Sequence, residues 1–206
     1  MLEPERLIAH HARARLAWLR SAGLRAQGGM VALAALLVGV AAAASTEGEV
    51  LLAGLAGLIA GALAIATAEY AALAARLGLP PQDVETDEAQ LVVHRRVGPR
   101  DDLVPTATGG LGDYHGAAPL QVAATSAAGF AMGGILPLAA ASAFHLGAMP
   151  LGIATVALCG VAAVSLLVAR ASGLVPAPYA LRACTWTGAG LAGAFAVGRI
   201  VGTTLV

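Results

Sequence analysis

Five long apolar runs divide this chain of 206 residues, and they restrict it to folds whose surface faces lipid. Apolar side chains make up 58% of the sequence and charged side chains only 12%. A soluble domain carries about 25% charged residues. A helix needs roughly 20 apolar residues to cross the hydrocarbon core of a bilayer. The sequence therefore predicts an all-α, polytopic membrane protein with five transmembrane helices.

The distribution of arginine indicates the direction of the crossings. All twelve basic residues are arginine, and eleven of them fall on one side if the apolar runs alternate through the membrane. Arg199, inside the last run, is the exception. Basic residues near short loops stay on the cytoplasmic side. The pattern thus predicts a cytoplasmic N-terminus and an external C-terminus, and the net charge of zero gives no indication of nucleic acid as a partner.

Composition divides the chain into four segments. An Arg-rich amphipathic helix over residues 1–28 is expected at the membrane interface, ended by a break at Gly28-Gly29. Transmembrane helices 1 and 2 occupy residues 29–77, a cytoplasmic and partly disordered loop occupies 78–118, and helices 3 to 5 occupy 119–206. The expected spans are Met30–Ser45, Val50–Leu77, Leu120–Phe144, Met149–Ala169 and Tyr179–Val206. An odd number of spans favours a homodimer enclosing a central path.

Glu69 is the residue on which a function most depends, because it is the only acidic side chain inside a predicted span. A carboxylate at that depth is costly and normally faces a cavity, a partner or an ion. One interpretation is a ligand for a divalent cation or a proton carrier. The alternative is a neutral carboxyl, or one hydrogen-bonded to Thr67, Tyr70 or a neighbouring helix.

The hydrophilic loop holds a second group of candidate metal ligands. Carboxylate oxygens and one imidazole can bind a metal, but their spacing matches no compact site, and a solvated acidic face is the alternative. No Ser/His/Asp arrangement, phosphate loop or HExxH motif occurs in the sequence, so neither an enzyme nor a bound cofactor is expected. The loop candidates are Asp83, Glu85, Asp87, Glu88 and His94.

Several motifs, taken in chain order, resemble one family of transporters. They include Trp18-Leu19-Arg20, Leu37-Val38-Gly39-Val40, the segment 54–63, and Ala68-Glu69-Tyr70. This order resembles the vacuolar iron transporter family, whose members carry Fe²⁺ and Mn²⁺ through five spans. The resemblance implies a homodimer that exports cytosolic Fe²⁺ or Mn²⁺, with or without coupling to protons. Glu69, Tyr70 and Gln27 would then contact the transported metal, which is the cargo.

Two departures from the family keep a second function open. Gly28 stands where the family has an aspartate on its metal path, and Ile65 stands where it has a methionine. Neither side chain can coordinate a cation. The alternative is a non-transporting five-span relative that acts as a scaffold, a metal sensor or a partner-binding membrane protein. The arginine-only, alanine-rich composition suggests a bacterium, and hence the cell membrane with its lipid as the surroundings.

Overall fold

The computed structural model describes residues 4–44, 46–76 and 119–205, with side chains for 21–44, 46–75 and 119–204. Over this part of the chain the structure consists of five helices and no strand. The loop 78–118, with the five loop candidates, lies outside the described residues. The helices are α1 (Pro4–Ala43), α2 (Glu47–Arg76), α3 (Pro119–Ala143), α4 (Met149–Ala171) and α5 (Pro176–Leu205).

Four of the described helices are long and apolar enough to cross a membrane. This confirms the prediction of an all-α, polytopic membrane protein. The fifth helix, α5, spans 30 residues, but Arg199, the threonines and the glycines dilute its apolar residues. The four candidate spans are Ser21–Ala43, Glu47–Ala75, Pro119–Ala143 and Met149–Ala171.

The predicted break at Gly28-Gly29 is wrong, because α1 continues through both glycines as one helix of 40 residues. Glycine lowers helix propensity by about 1 kcal/mol relative to alanine, but tertiary packing overrides that cost here. Gly29 is buried, and a Cβ on it would overlap the backbone carbonyl of Phe130 in α3. The small residue is thus needed for the crossing of two helices rather than for a turn. The candidate span Ser21–Ala43 within α1 accordingly contains both glycines, whereas the expected span began after them at Met30.

Helix α1 lies at the centre of the bundle and contacts the other four described helices. The largest fully buried side chains come from α1, the first turn of α2, α3 and α4. Glycines allow the backbones to approach closely: Gly133 of α3 lies against Ala26 of α1, and Gly198 of α5 lies against Gly39. The largest fully buried side chains of the core include Leu33, Leu37, Val50, Met149 and Ile153.

Contacts at one end of the bundle show that successive helices alternate in direction. At one end, Glu47 Oε1 accepts a hydrogen bond from the backbone N–H of Leu146 at 3.2 Å. The same oxygen lies 3.4 Å from His145 Nδ1, so the α1–α2 and α3–α4 turns are neighbours. Gly202 of α5 meets Ala43 at this end. Arg25, Arg76, Arg170 and Arg182 lie towards the opposite end, and Arg199 lies towards the Glu47 end.

Candidate metal site

The carboxylate of Glu69 lies inside the helix bundle. Its residue is only 3% exposed, on the side of α2 that also carries the buried Leu73 one turn later. The Thr67 hydroxyl donates to its own helix, with the Leu63 and Ala64 carbonyl oxygens at 3.0 and 2.9 Å. Tyr70 is 45% exposed and belongs to the outer side of α2. The partner of Glu69 is therefore found on a neighbouring helix.

That partner is Arg25 of α1. Its Nη2 lies 3.6 Å from Glu69 Oε1, and the two side chains are 9% and 4% exposed. A charge-assisted N–H···O bond measures about 2.7–2.9 Å, so this is an ion pair with a loose geometry. The pair makes the interior of the bundle locally neutral, which lowers the cost of a carboxylate within a span.

The sequence interpretation missed this role of Arg25. It placed Arg25 in a separate interfacial helix that ended at Gly28-Gly29. It singled out Arg199 instead, as the one arginine inside an apolar run. In the structure Arg199 is exposed near the opposite end of the bundle. The signal that could have identified Arg25 is its position within a candidate membrane span, Ser21–Ala43.

Helix α3 forms the third wall of the site. A Cβ on Gly129 would lie 3.2 Å from Cβ and 3.8 Å from Cδ of Arg25, so the arginine stem packs directly against that glycine. Ser126, one turn earlier on the same helix, is fully buried. Its Oγ has no hydrogen-bond partner among the described residues. The site thus lies where α1, α2 and α3 meet.

Two acceptor oxygens of the predicted site residues are buried without a donor. Glu69 Oε2 and Gln27 Oε1 have no hydrogen-bond partner within the described part of the chain. Buried polar atoms are normally paired with protein, water or an ion. Carboxylate and amide oxygens are also ligands that hard divalent cations accept. Both atoms therefore have the chemistry of a cation site, whereas Tyr70 points to the exposed side of α2.

The site has few ligands of its own. No group of three His, Cys, Asp or Glu side chains comes together within the described ranges. Gly28 is exposed at its position in α1, and Ile65 is partly buried one turn before Glu69. Neither can donate an electron pair to a cation from its side chain. A metal at Glu69 would therefore require further oxygens from water, the backbone, a second subunit or residues outside the described ranges.

Comparison with known proteins places this site within a matched region. The family model of the VIT family matches residues 19–97, which include Arg25, Gln27 and Glu69. Vacuolar iron transporter homolog 1 of Oryza sativa subsp. japonica is 38% identical over 127 residues, covering 62% of this chain and 49% of the rice protein.

Two further relatives are also vacuolar iron transporter homologues. Vacuolar iron transporter homolog 5 of Oryza sativa subsp. japonica is 31% identical over 163 residues, covering 77% of this chain and 70% of that protein. Vacuolar iron transporter homolog 2 of Arabidopsis thaliana is 30% identical over 128 residues, covering 62% of this chain and 55% of that protein. The chain thus spans between 49% and 70% of the length of these three relatives. No solved structure matches the chain.

Proposed function

Because this chain belongs to the VIT family of vacuolar iron transporter homologues, we propose that it moves Fe²⁺ or Mn²⁺ across a membrane. The observation that carries the proposal is the Glu69 carboxylate. It lies buried within a helix long enough to cross a bilayer, and its Oε2 has no donor among the described residues. An ionisable group at such a place normally serves an ion pathway or a partner.

The proposed topology has five crossings, with the N-terminus in the cytoplasm and the C-terminus outside. In support, α5 packs along α1 and α4, and it therefore belongs to the same bundle as the four candidate spans. Basic residues favour the cytoplasmic side, and the described arginines other than Arg199 lie towards one end of the bundle. Glu69 lies in the half of α2 nearer that end, where an exporter would collect its ion. We also propose that the protein lies in the cell membrane and that it couples metal movement to protons.

We further propose that two copies assemble through α2. Of the four candidate spans, α2 is the least buried within the protomer. One stripe of large exposed side chains follows its length at helical spacing, which is the pattern of a helix that packs against a partner. Lipid is the alternative cover for this surface. The stripe consists of Leu52, Leu55, Ile59, Leu63 and Tyr70.

Transport is tested by reconstituting the full chain in liposomes that contain a fluorescent indicator for Mn²⁺. The wild-type protein should admit Mn²⁺, and Glu69→Gln should lower the initial rate at least about tenfold, because the carboxylate charge is lost. Glu47→Gln is the matched control, since Glu47 is exposed at a turn and its variant should keep the wild-type rate. A wild-type rate equal to that of empty liposomes would contradict the proposal.

One observation favours the second candidate, a non-transporting relative. Glu69 already has a cationic partner inside the protomer, and Gly28 and Ile65 provide no side-chain ligand. A bundle with these properties can serve as a scaffold or a partner-binding membrane protein. This function would gain support if the folded wild-type protein carried neither Fe²⁺ nor Mn²⁺ under a gradient of either ion.

A further inference from the structure

We propose that Arg25 is a tethered cation that occupies the Glu69 carboxylate and closes it to metal ions. This inference rests on the proposed function, which supplies Fe²⁺ or Mn²⁺ as the competing ion. A metal ion reaches Glu69 only when the guanidinium moves away. Arg25 then sets how readily the site takes up its cargo.

The first step of the argument is charge. The buried pair contains one negative and one positive group, and their closest nitrogen and oxygen lie 3.6 Å apart. A divalent cation on the same carboxylate would stand a few ångströms from the guanidinium. The repulsion between two cations at such a distance is strong where water is excluded. Arg25 and a metal ion therefore compete for one carboxylate.

The second step is the looseness of the pair. The Nη2–Oε1 distance exceeds that of a charge-assisted hydrogen bond, about 2.7–2.9 Å. Glu69 Oε2 accepts no hydrogen bond from the described residues. Glu69 Oε2 therefore keeps its full acceptor capacity for a second cation, whereas Oε1 faces the guanidinium at a distance longer than a hydrogen bond.

The third step is the path that Arg25 can take. The stem of Arg25 lies on Gly129, where the missing side chain leaves it room. Arg25 also follows the Arg-rich stretch 6–20 of the sequence, near the polar end of the candidate span. A long arginine side chain near the end of a span can extend towards the interface while its stem stays in apolar surroundings. Rotation of the Arg25 side chain towards the interface would thus move the guanidinium away from Glu69.

The test compares the reactivity of Glu69 towards dicyclohexylcarbodiimide, an apolar reagent for buried carboxyls, in the purified full chain. Labelling is read by mass spectrometry with and without Mn²⁺. We expect Arg25→Gln to be labelled at least tenfold faster than the wild type and to be protected by Mn²⁺. Arg25→Lys keeps a positive charge beside the carboxylate and should stay within about threefold of the wild type. Arg182→Gln, on an exposed arginine of α5, is the control and should match the wild type.

A second variant, Gly129→Val, disturbs the contact between Arg25 and Glu69 without removing the charge of either side chain. Gly129→Val would push the Arg25 stem aside, because even a Cβ there lies 3.2 Å from Arg25 Cβ. It should raise the labelling of Glu69 as Arg25→Gln does. Equal labelling of the wild type and both variants would overturn the inference. So would protection of the wild type by Mn²⁺ as strong as that of Arg25→Gln.

Flux measurements separate this inference from the proposed function. If Arg25 competes with the metal, Arg25→Gln in liposomes should carry Mn²⁺ at least about fivefold faster than the wild type. Faster labelling and Mn²⁺ protection in Arg25→Gln, with no flux in any variant, would support the tethered cation and reject transport. Wild-type flux that depends on Glu69 and is unchanged in Arg25→Gln would support transport and reject the tethered cation.

Discussion

Gly133 of α3 lies directly against the backbone carbonyl of Ala26 in α1. The two helices meet backbone to backbone there, and Gly29 meets Phe130 on the other side of the same crossing. Arg25 immediately precedes Ala26, and Gly129 lies one turn before Gly133. The crossing therefore fixes how far the Arg25 stem stands from α3, and so where its guanidinium meets Glu69.

Gly133→Ala should destabilise the protein. The added methyl would overlap the Ala26 backbone, and forced overpacking costs about 1–3 kcal/mol. Gly188→Ala is the matched control, because a Cβ there meets nothing within 4 Å. That control should gain up to about 1 kcal/mol from the better helix propensity of alanine. Unfolding by SDS in detergent micelles measures both, and equal stability of the two variants would contradict the close crossing.

The pairing of Arg25 with Glu69 should appear as strong coupling in a double-mutant cycle. Arg25→Met leaves a buried carboxylate without its cation, which costs about 3–5 kcal/mol. The double variant Arg25→Met with Glu69→Met should recover most of that loss, since an apolar pair of similar volume is often neutral in stability. Free energies of unfolding that simply add would show that the two side chains do not interact.

The contact between the α1–α2 turn and the α3–α4 turn should depend on the Glu47 carboxylate and not on the His145 imidazole. Glu47→Ala removes the acceptor of the Leu146 N–H. A hydrogen bond is worth about 1 kcal/mol, which corresponds to roughly fivefold faster amide exchange. His145→Ala removes only an exposed side-chain contact with the Glu47 carboxylate and should leave the Leu146 amide unchanged. Hydrogen exchange with mass spectrometry on the peptide that contains Leu146 distinguishes the two.

The dimer proposal predicts cross-linking through α2. In a background with Cys159 and Cys184 replaced by serine, Ile59→Cys should form a disulfide-linked dimer when membranes are oxidised. Ile59 is 62% exposed on the protomer, so a second copy of α2 can reach it. Leu167→Cys on α4, whose wild-type leucine is 61% exposed, is the control and should stay monomeric. Equal cross-linking at both positions would show random collision instead of a specific interface.

Much of the fold could be predicted from the sequence because apolar length is a strong local signal. The fourth span was expected at Met149–Ala169, and the helix runs Met149–Ala171. The third was expected at Leu120–Phe144, and the helix runs Pro119–Ala143. The apolar composition fixes such boundaries because they mark where the chain leaves lipid.

The continuity of α1 and the partner of Glu69 could not be predicted in the same way. The propensity of Gly28-Gly29 indicates a break, and only the packing of Gly29 on Phe130 explains why the helix continues. The ion pair joins α1 to α2. The position of Arg25 in a candidate span marks it as unusual, but which acid it meets is decided by how the two helices pack. Glu69 was identified because its cost inside a span is a local property.

The unbroken helix α1 also connects the N-terminal residues to the Glu69 site as one continuous element. Its 40 residues correspond to a length of about 60 Å at about 1.5 Å per residue, twice the hydrocarbon thickness of about 30 Å. A rod of this length has no hinge between its N-terminal half and Arg25. Arg25 and residues 4–20 belong to the same continuous helix, so a rotation of that half about its axis would change the distance between the guanidinium and Glu69.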